Sequence, residues 1–216
     1  MRDDGYGSRP CYGELAAILL VGLGHIIIEV GYSRTAATFY NIAVSIAFLG
    51  YLIWRPRRTP GVLRAWGFRT DNLIPAALAQ LRFLAVGVVT LIGFALVAES
   101  PGLPKTFWLT VALYPVWGIA QQFALQNLIA NNITGVLSRP IAIALVAALL
   151  FAVSHYPRLE LAALTFVAGT FFTLIYRKLP NLWAVGTAHG LLGSMTSYIV
   201  LQEDPGALII DFLIGH

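Results

Sequence analysis

Six side chains in the second half of the chain are of types that do chemistry. Gln121, Gln122, Gln126 and Asn127 form an amide cluster. His155 ends the run Phe151-Ala-Val-Ser-His155, and His189 opens His189-Gly-Leu-Leu-Gly193. An imidazole gives or takes a proton near neutral pH. A carboxamide holds a water or a carbonyl by hydrogen bonds but cannot act as a base. Two histidines flanked by amides therefore suit proton transfer next to a hydrogen-bonded oxyanion. Each feature also has a plainer explanation. Amides tie helices together, a lone buried histidine is usually neutral and satisfied, and the stripe Gly186, Gly190, Gly193, Ser197 suits close helix packing. It is the combination that singles these residues out. Two imidazoles with two amides mix soft and hard donors, a poor metal set. Neither a metal nor a cofactor is expected.

The elements that position these groups follow from composition. The chain of 216 residues is 58% hydrophobic and 11% charged. An average soluble domain carries roughly 25% charged residues, so these few cannot cover a soluble surface. The fold class is all-α: a polytopic membrane helix bundle, a single integral membrane domain over 1–216. Spans of about 20 apolar residues must be helices or closed barrels, and the long unalternating runs exclude a barrel. Seven helices are predicted, at 14–33, 36–54, 80–98, 106–128, 139–156, 160–176 and 182–201. Ser138-Arg139-Pro140 opens the fifth, with proline in the first turn, and Pro180-Asn181 precedes the seventh. Residues 205–214 are apolar but too short to span. The chemistry-bearing residues fall on the fourth, fifth and seventh helices, where polar groups are costly and mark sites.

Charge placement predicts orientation. With residues 1–13 a cytoplasmic N-terminal segment, Arg2, Arg9, Arg55, Arg57, Arg58, Arg64, Arg69, Arg82, Arg139, Arg177 and Lys178 lie inside. Arg34, Lys105 and Arg158 lie outside. The first helix then reads as a signal anchor. The basic 55–72 loop suits anionic headgroups. The net charge of +4 reflects this topology, and no nucleic-acid partner is expected. Cys11 is the one cysteine, so no intrachain disulfide forms. His25 and Glu29 share a helix face, and Glu160 suits a helix N-terminus.

At these residues the chain resembles the CPBP family of intramembrane proteases, which includes CAAX proteases and bacteriocin-processing enzymes. The family pattern is Glu-Glu-x-x-x-Arg, then Phe-x-x-x-His, then His-x-x-x-Asn on successive helices. Here Gln121-Gln122-Phe-Ala-Leu-Gln126 occupies the first motif, Phe151 to His155 matches the second, and His189 to Gly193 keeps the histidine of the third. Gly169, Tyr176 and Asn181-Leu182 fit between the last two motifs, and Gly67-Phe68-Arg69 precedes the third helix. The core bearing the motifs is 106–201. The resemblance implies membrane lipids as surroundings and a membrane-embedded peptide or lipidated substrate. It also implies residence in a bacterial or archaeal plasma membrane.

The resemblance implies catalytic positions at His155, His189, Gln121 and Gln122, and substrate-binding positions at Gln126, Phe151 and Gly193. In the family a glutamate works with the histidines to activate water, while the other histidine and the asparagine stabilise the oxyanion. The substitutions here remove both glutamates and the arginine together, which is a coordinated neutralisation. Three outcomes are compatible with it: hydrolysis with His155 as base and His189 as oxyanion donor, acyl or lipid transfer, or a catalytically silent protein that binds in the old cleft.

Overall fold

The computed structural model describes residues 10–100 and 102–214. Arg2 and Arg9 of the positive-inside count lie outside them. Among the described residues every regular element is helical. In chain order these are α1 (Tyr12–Gly31), α2 (Arg34–Arg58), α3 (Val62–Ala65), α4 (Leu73–Val97) and α5 (Phe107–Phe123). A π-helical segment (Ala124–Ala130) follows, then α6 (Asn131–Ile133), α7 (Pro140–Val153), α8 (Leu159–Lys178), α9 (Leu182–Ile199) and α10 (Pro205–Ile214).

The protein is an all-α membrane helix bundle. All seven predicted segments are helical. Four of them, α1, α2, α4 and α8, are long and apolar enough to cross a bilayer by length and composition. The other three have physical reasons to fall short. The fourth predicted helix is interrupted by the π segment, α7 has 14 residues, and α9 is diluted by glycine, hydroxyl side chains and His189. The third predicted helix starts at Leu73 and not at 80, because Pro75 fits a helix's first turn, where no N–H is required. Gln80 therefore lies inside α4.

The chain divides into two compact units. One contains residues through Arg69 together with 123–180, and the other contains 70–122 and the chain from 181 on.

In the first unit α7 packs along α8. Leu125, Ile129, Ile143, Ala147 and Phe151 form a buried cluster, and Gly169 allows α8 to close on Ala148. Trp66, after α3, is 2% exposed and meets Phe123 edge-on at 4.8 Å. Its carbonyl accepts from Asn127 Nδ2 at 3.2 Å and from the Tyr176 hydroxyl at 2.8 Å. Both lone pairs of that oxygen are thus used. A polar knot sits at the start of α1. Glu14 accepts from the Tyr51 hydroxyl at 2.7 Å and pairs with Arg55 at 3.5 Å. Asn132 donates to Glu14 at 3.4 Å and accepts from the Cys11 backbone N–H at 2.7 Å.

In the second unit α4 packs on α9, and glycines bring α5 onto α9. A Cβ on Gly118 would lie 2.6 Å from the Gly190 nitrogen. One on Gly186 would lie 2.6 Å from Ile119 Cα, and one on Gly190 would lie 2.5 Å from the Tyr114 carbonyl oxygen. No side chain fits there without moving backbone. Gly193, the next glycine of the stripe, is different: a Cβ would meet only ordinary contacts at 3.8 and 4.0 Å. Asn181 caps α9 by accepting from Ala184 N at 3.0 Å, and its amide donates to Asn72 at 3.0 Å. Beyond α9, Asp204 accepts from Thr106, Tyr198 and Ala207 N at 2.7, 2.8 and 2.9 Å. Desolvation raises its carboxyl, but these bonds outweigh it and hold the group below its ordinary 3.8.

Two outcomes follow from this packing. Gly190→Ala should destabilise the protein by about 1–3 kcal/mol through forced backbone displacement, whereas Gly193→Ala should leave the melting temperature in detergent nearly unchanged. The Asp204 contribution to stability is fully present above the carboxyl's ordinary 3.8 and is lost as pH falls through the depressed folded value. Asp204→Asn should abolish that acid-side slope in a pH series of thermal melts.

Candidate active site

The glycine contact between α5 and α9 sets up the first part of the site. Gln122 lies one turn beyond Gly118, and His189 lies three residues after Gly186, so the two side chains meet where the backbones are closest. Gln122 is fully buried, and its Nε2 lies 2.7 Å from Nδ1 of His189. A carboxamide nitrogen only donates. His189 Nδ1 is therefore the acceptor, and in the neutral ring the proton resides on Nε2. Gln122 thus makes His189 an N–H donor at its far nitrogen. Gln121, half-buried, is offset by about 100° around α5. Gly193, one turn beyond His189 on α9, leaves room next to that ring: the nearest atoms to an added Cβ would be Tyr114 Cδ1 and His189 Cδ2.

The remaining motif residues belong to the first unit. The π segment begins directly after α5, and Gln126 O accepts from Asn131 N across five residues. Such wide turns are rare and recur at functional sites. Gln126 is fully buried and donates to the Thr173 hydroxyl at 3.2 Å. Asn127 donates to the Trp66 carbonyl. The amide cluster of the sequence is therefore distributed over three partners: Gln122 on His189, Gln126 on Thr173 and Asn127 on Trp66.

His155 lies in the turn beyond the end of α7. Its Nδ1 is 3.0 Å from the Phe151 carbonyl oxygen, and its ring stands edge-on to Phe151 at 5.2 Å. A carbonyl accepts, so Nδ1 carries the proton and Nε2 carries the lone pair. The four-residue spacing from Phe151 has a physical basis. One helical turn places the ring against both the carbonyl and the phenyl of the same residue. His25 of α1 lies within electrostatic reach of His155. Glu160 sits in the first turn of α8, exposed, as its type suggested.

The two histidines thus hold opposite tautomers, His155 with a basic Nε2 and His189 with a donating one. Sequence reasoning had separated a base from a donor, but it had no signal for how each ring would be fixed.

Residues 102–195 match the family model for type II CAAX prenyl endopeptidases, described as Rce1-like. The match spans less than half of the chain and makes this stretch similar to that family, in line with the CPBP resemblance of its motifs. The Rce1-like segment contains all seven motif positions, from Gln121 to Gly193, so the part of this membrane protein that bears the motifs is the part similar to CAAX proteases. No curated protein and no solved structure matches the chain.

The tautomer assignment is directly testable. A carboxylate at 122 can only accept, so Gln122→Glu should move the His189 proton onto Nδ1, giving either the other neutral tautomer or the imidazolium. Nitrogen-15 NMR of ring-labelled histidine should report Nε2–H in the wild type and Nδ1–H in the variant. An unchanged His189 signal would overturn the role given to Gln122.

Proposed function

We propose that the protein is an intramembrane hydrolase of the CAAX-protease type acting on a peptide or lipid-linked substrate, with a neutral variant of the family's catalytic set. The observation that carries this reading is the hydrogen bond from the buried Gln122 to the half-buried His189. In this reading His189 donates its Nε2–H to the oxyanion of an attacked carbonyl. His155 removes a proton from water through Nε2. Gln121 orients the water or the substrate carbonyl. Phe151 positions His155, and Gly193 leaves the space where the family carries an asparagine. His155 enters this scheme through its motif and its own tautomer, and His189 through the bond to Gln122.

Loss of the carboxylate lowers the driving force for proton abstraction, since neutral imidazole replaces a paired glutamate. A slow hydrolase is the expected phenotype. The N-terminus is proposed to face the cytoplasm, on the asymmetry of Lys and Arg. A second reading is supported by the same neutrality. A site without a carboxylate base also suits a protein that binds a lipidated segment and leaves it intact.

Turnover of a membrane-embedded peptide substrate in reconstituted vesicles separates the two. His189→Ala should lower kcat by about 10²–10³-fold, the loss typical of one oxyanion donor. His155→Ala should lower it by about 10²–10⁴-fold as a general base. Gln121→Glu should raise turnover by restoring a carboxylate, and Gln122→Glu should do so only where His189 becomes the imidazolium and keeps its Nε2–H. Activity unaffected by both histidine substitutions would sink the hydrolase reading, and binding without turnover in every variant would establish the second one.

A further inference from the structure

Within the second unit, α4 and α9 enclose an open groove of about 420 Å³, with Ala77, Gln80 and Leu84 on one side and Trp183, Thr187 and Leu191 on the other. Its volume lies in the range of small-molecule sites, and no ionisable side chain lines it. Gln80 is the exception in an otherwise apolar α4 wall. It is 2% exposed, and its Oε1 is buried without a hydrogen-bond partner. A buried amide oxygen left unpaired costs free energy that an apolar residue of similar size would avoid. The groove is therefore poorly explained as packing between helices and well explained as a site that receives a donor.

We infer that this groove binds one neutral single-chain lipid whose hydroxyl group donates to Gln80 Oε1. The apolar walls select a hydrocarbon chain. The absence of charge along the groove rules against phosphate and ammonium head groups, which would be buried without a counter-charge. The one acceptor selects a neutral donor. Annular lipid would also fill such a groove, but it would show no preference for a donor. The site sits on the face of α9 carrying Thr187 and Leu191, and it does not depend on the chemistry assigned to His189.

Trp183 supplies the probe. Purified protein in detergent is titrated with a long-chain alcohol brominated at mid-chain and, separately, with its methyl ether, and tryptophan quenching is followed. The component that disappears in Trp183→Phe reports the groove. In the wild type this component should saturate, with the alcohol binding roughly three- to tenfold more tightly than the ether, as one neutral hydrogen bond allows. Gln80→Leu, or the longer Gln80→Met, should bring the alcohol to the affinity of the ether. His189→Ala should leave both affinities unchanged, which keeps this test separate from the hydrolase reading. Equal binding of alcohol and ether to the wild-type protein would overturn the inference without any variant having to fold. Non-saturating quenching, which marks annular lipid, would overturn it too, as would a preference for the alcohol that survives both Gln80 substitutions.

Discussion

The close contact of α5 with α9 is the constraint on which the rest of the second unit depends. Lipid offers no hydrophobic drive between helices, so association rests on close packing and internal hydrogen bonds. Gly118, Gly186 and Gly190 allow backbone to meet backbone. Where they do, Gln122 and His189 are brought side by side, and a short hydrogen bond results. Packing, tautomer and proposed chemistry therefore form one chain of causes. Gly193 completes it by doing the opposite. A Cβ there would meet only ordinary contacts, so the helix contact does not require that glycine.

The same economy governs the other polar groups. In a hydrocarbon surrounding each donor or acceptor must find a protein partner. Trp66 O takes two donors, Glu14 takes three partners, and Asp204 gathers Thr106, Tyr198 and a backbone N–H. Those knots fix chain segments far apart in sequence. Gln80 Oε1 is among the buried polar atoms without a hydrogen-bond partner, and it is the one that lies on the groove between α4 and α9.

Much of the fold was legible in the sequence because the bilayer simplifies the reading. Long apolar runs gave the helices, Asn181 marked the start of α9, and the three motifs fall inside the segment that matches the family model. Four things were not legible. Residues 124–130 read as ordinary helix, since nothing in Ala124-Leu-Gln-Asn-Leu-Ile-Ala130 signals a π turn. The amides at 122, 126 and 127 looked like one cluster, because spacing along a helix does not reveal which neighbour each side chain meets. Glu14 and Asp204 went unremarked since Tyr51, Arg55 and Asn132 lie tens of residues from Glu14 and Thr106 lies 98 residues from Asp204. Gln80 was hidden by its position at the predicted start of a helix that in fact begins a full two turns earlier.

The Gln122–His189 bond also bears on how the protein stands to its genetic neighbours. Every glutamine codon becomes a glutamate codon through one first-position base change, so the charged form of this site is a single mutation away. Position 122 has no access to water, and a carboxylate there needs a counter-charge or a proton of its own. His189, already in contact, is able to supply either. The barrier between the neutral and charged versions of this site is therefore low in both genetic and electrostatic terms, and the two forms are best regarded as adjacent states of one scaffold.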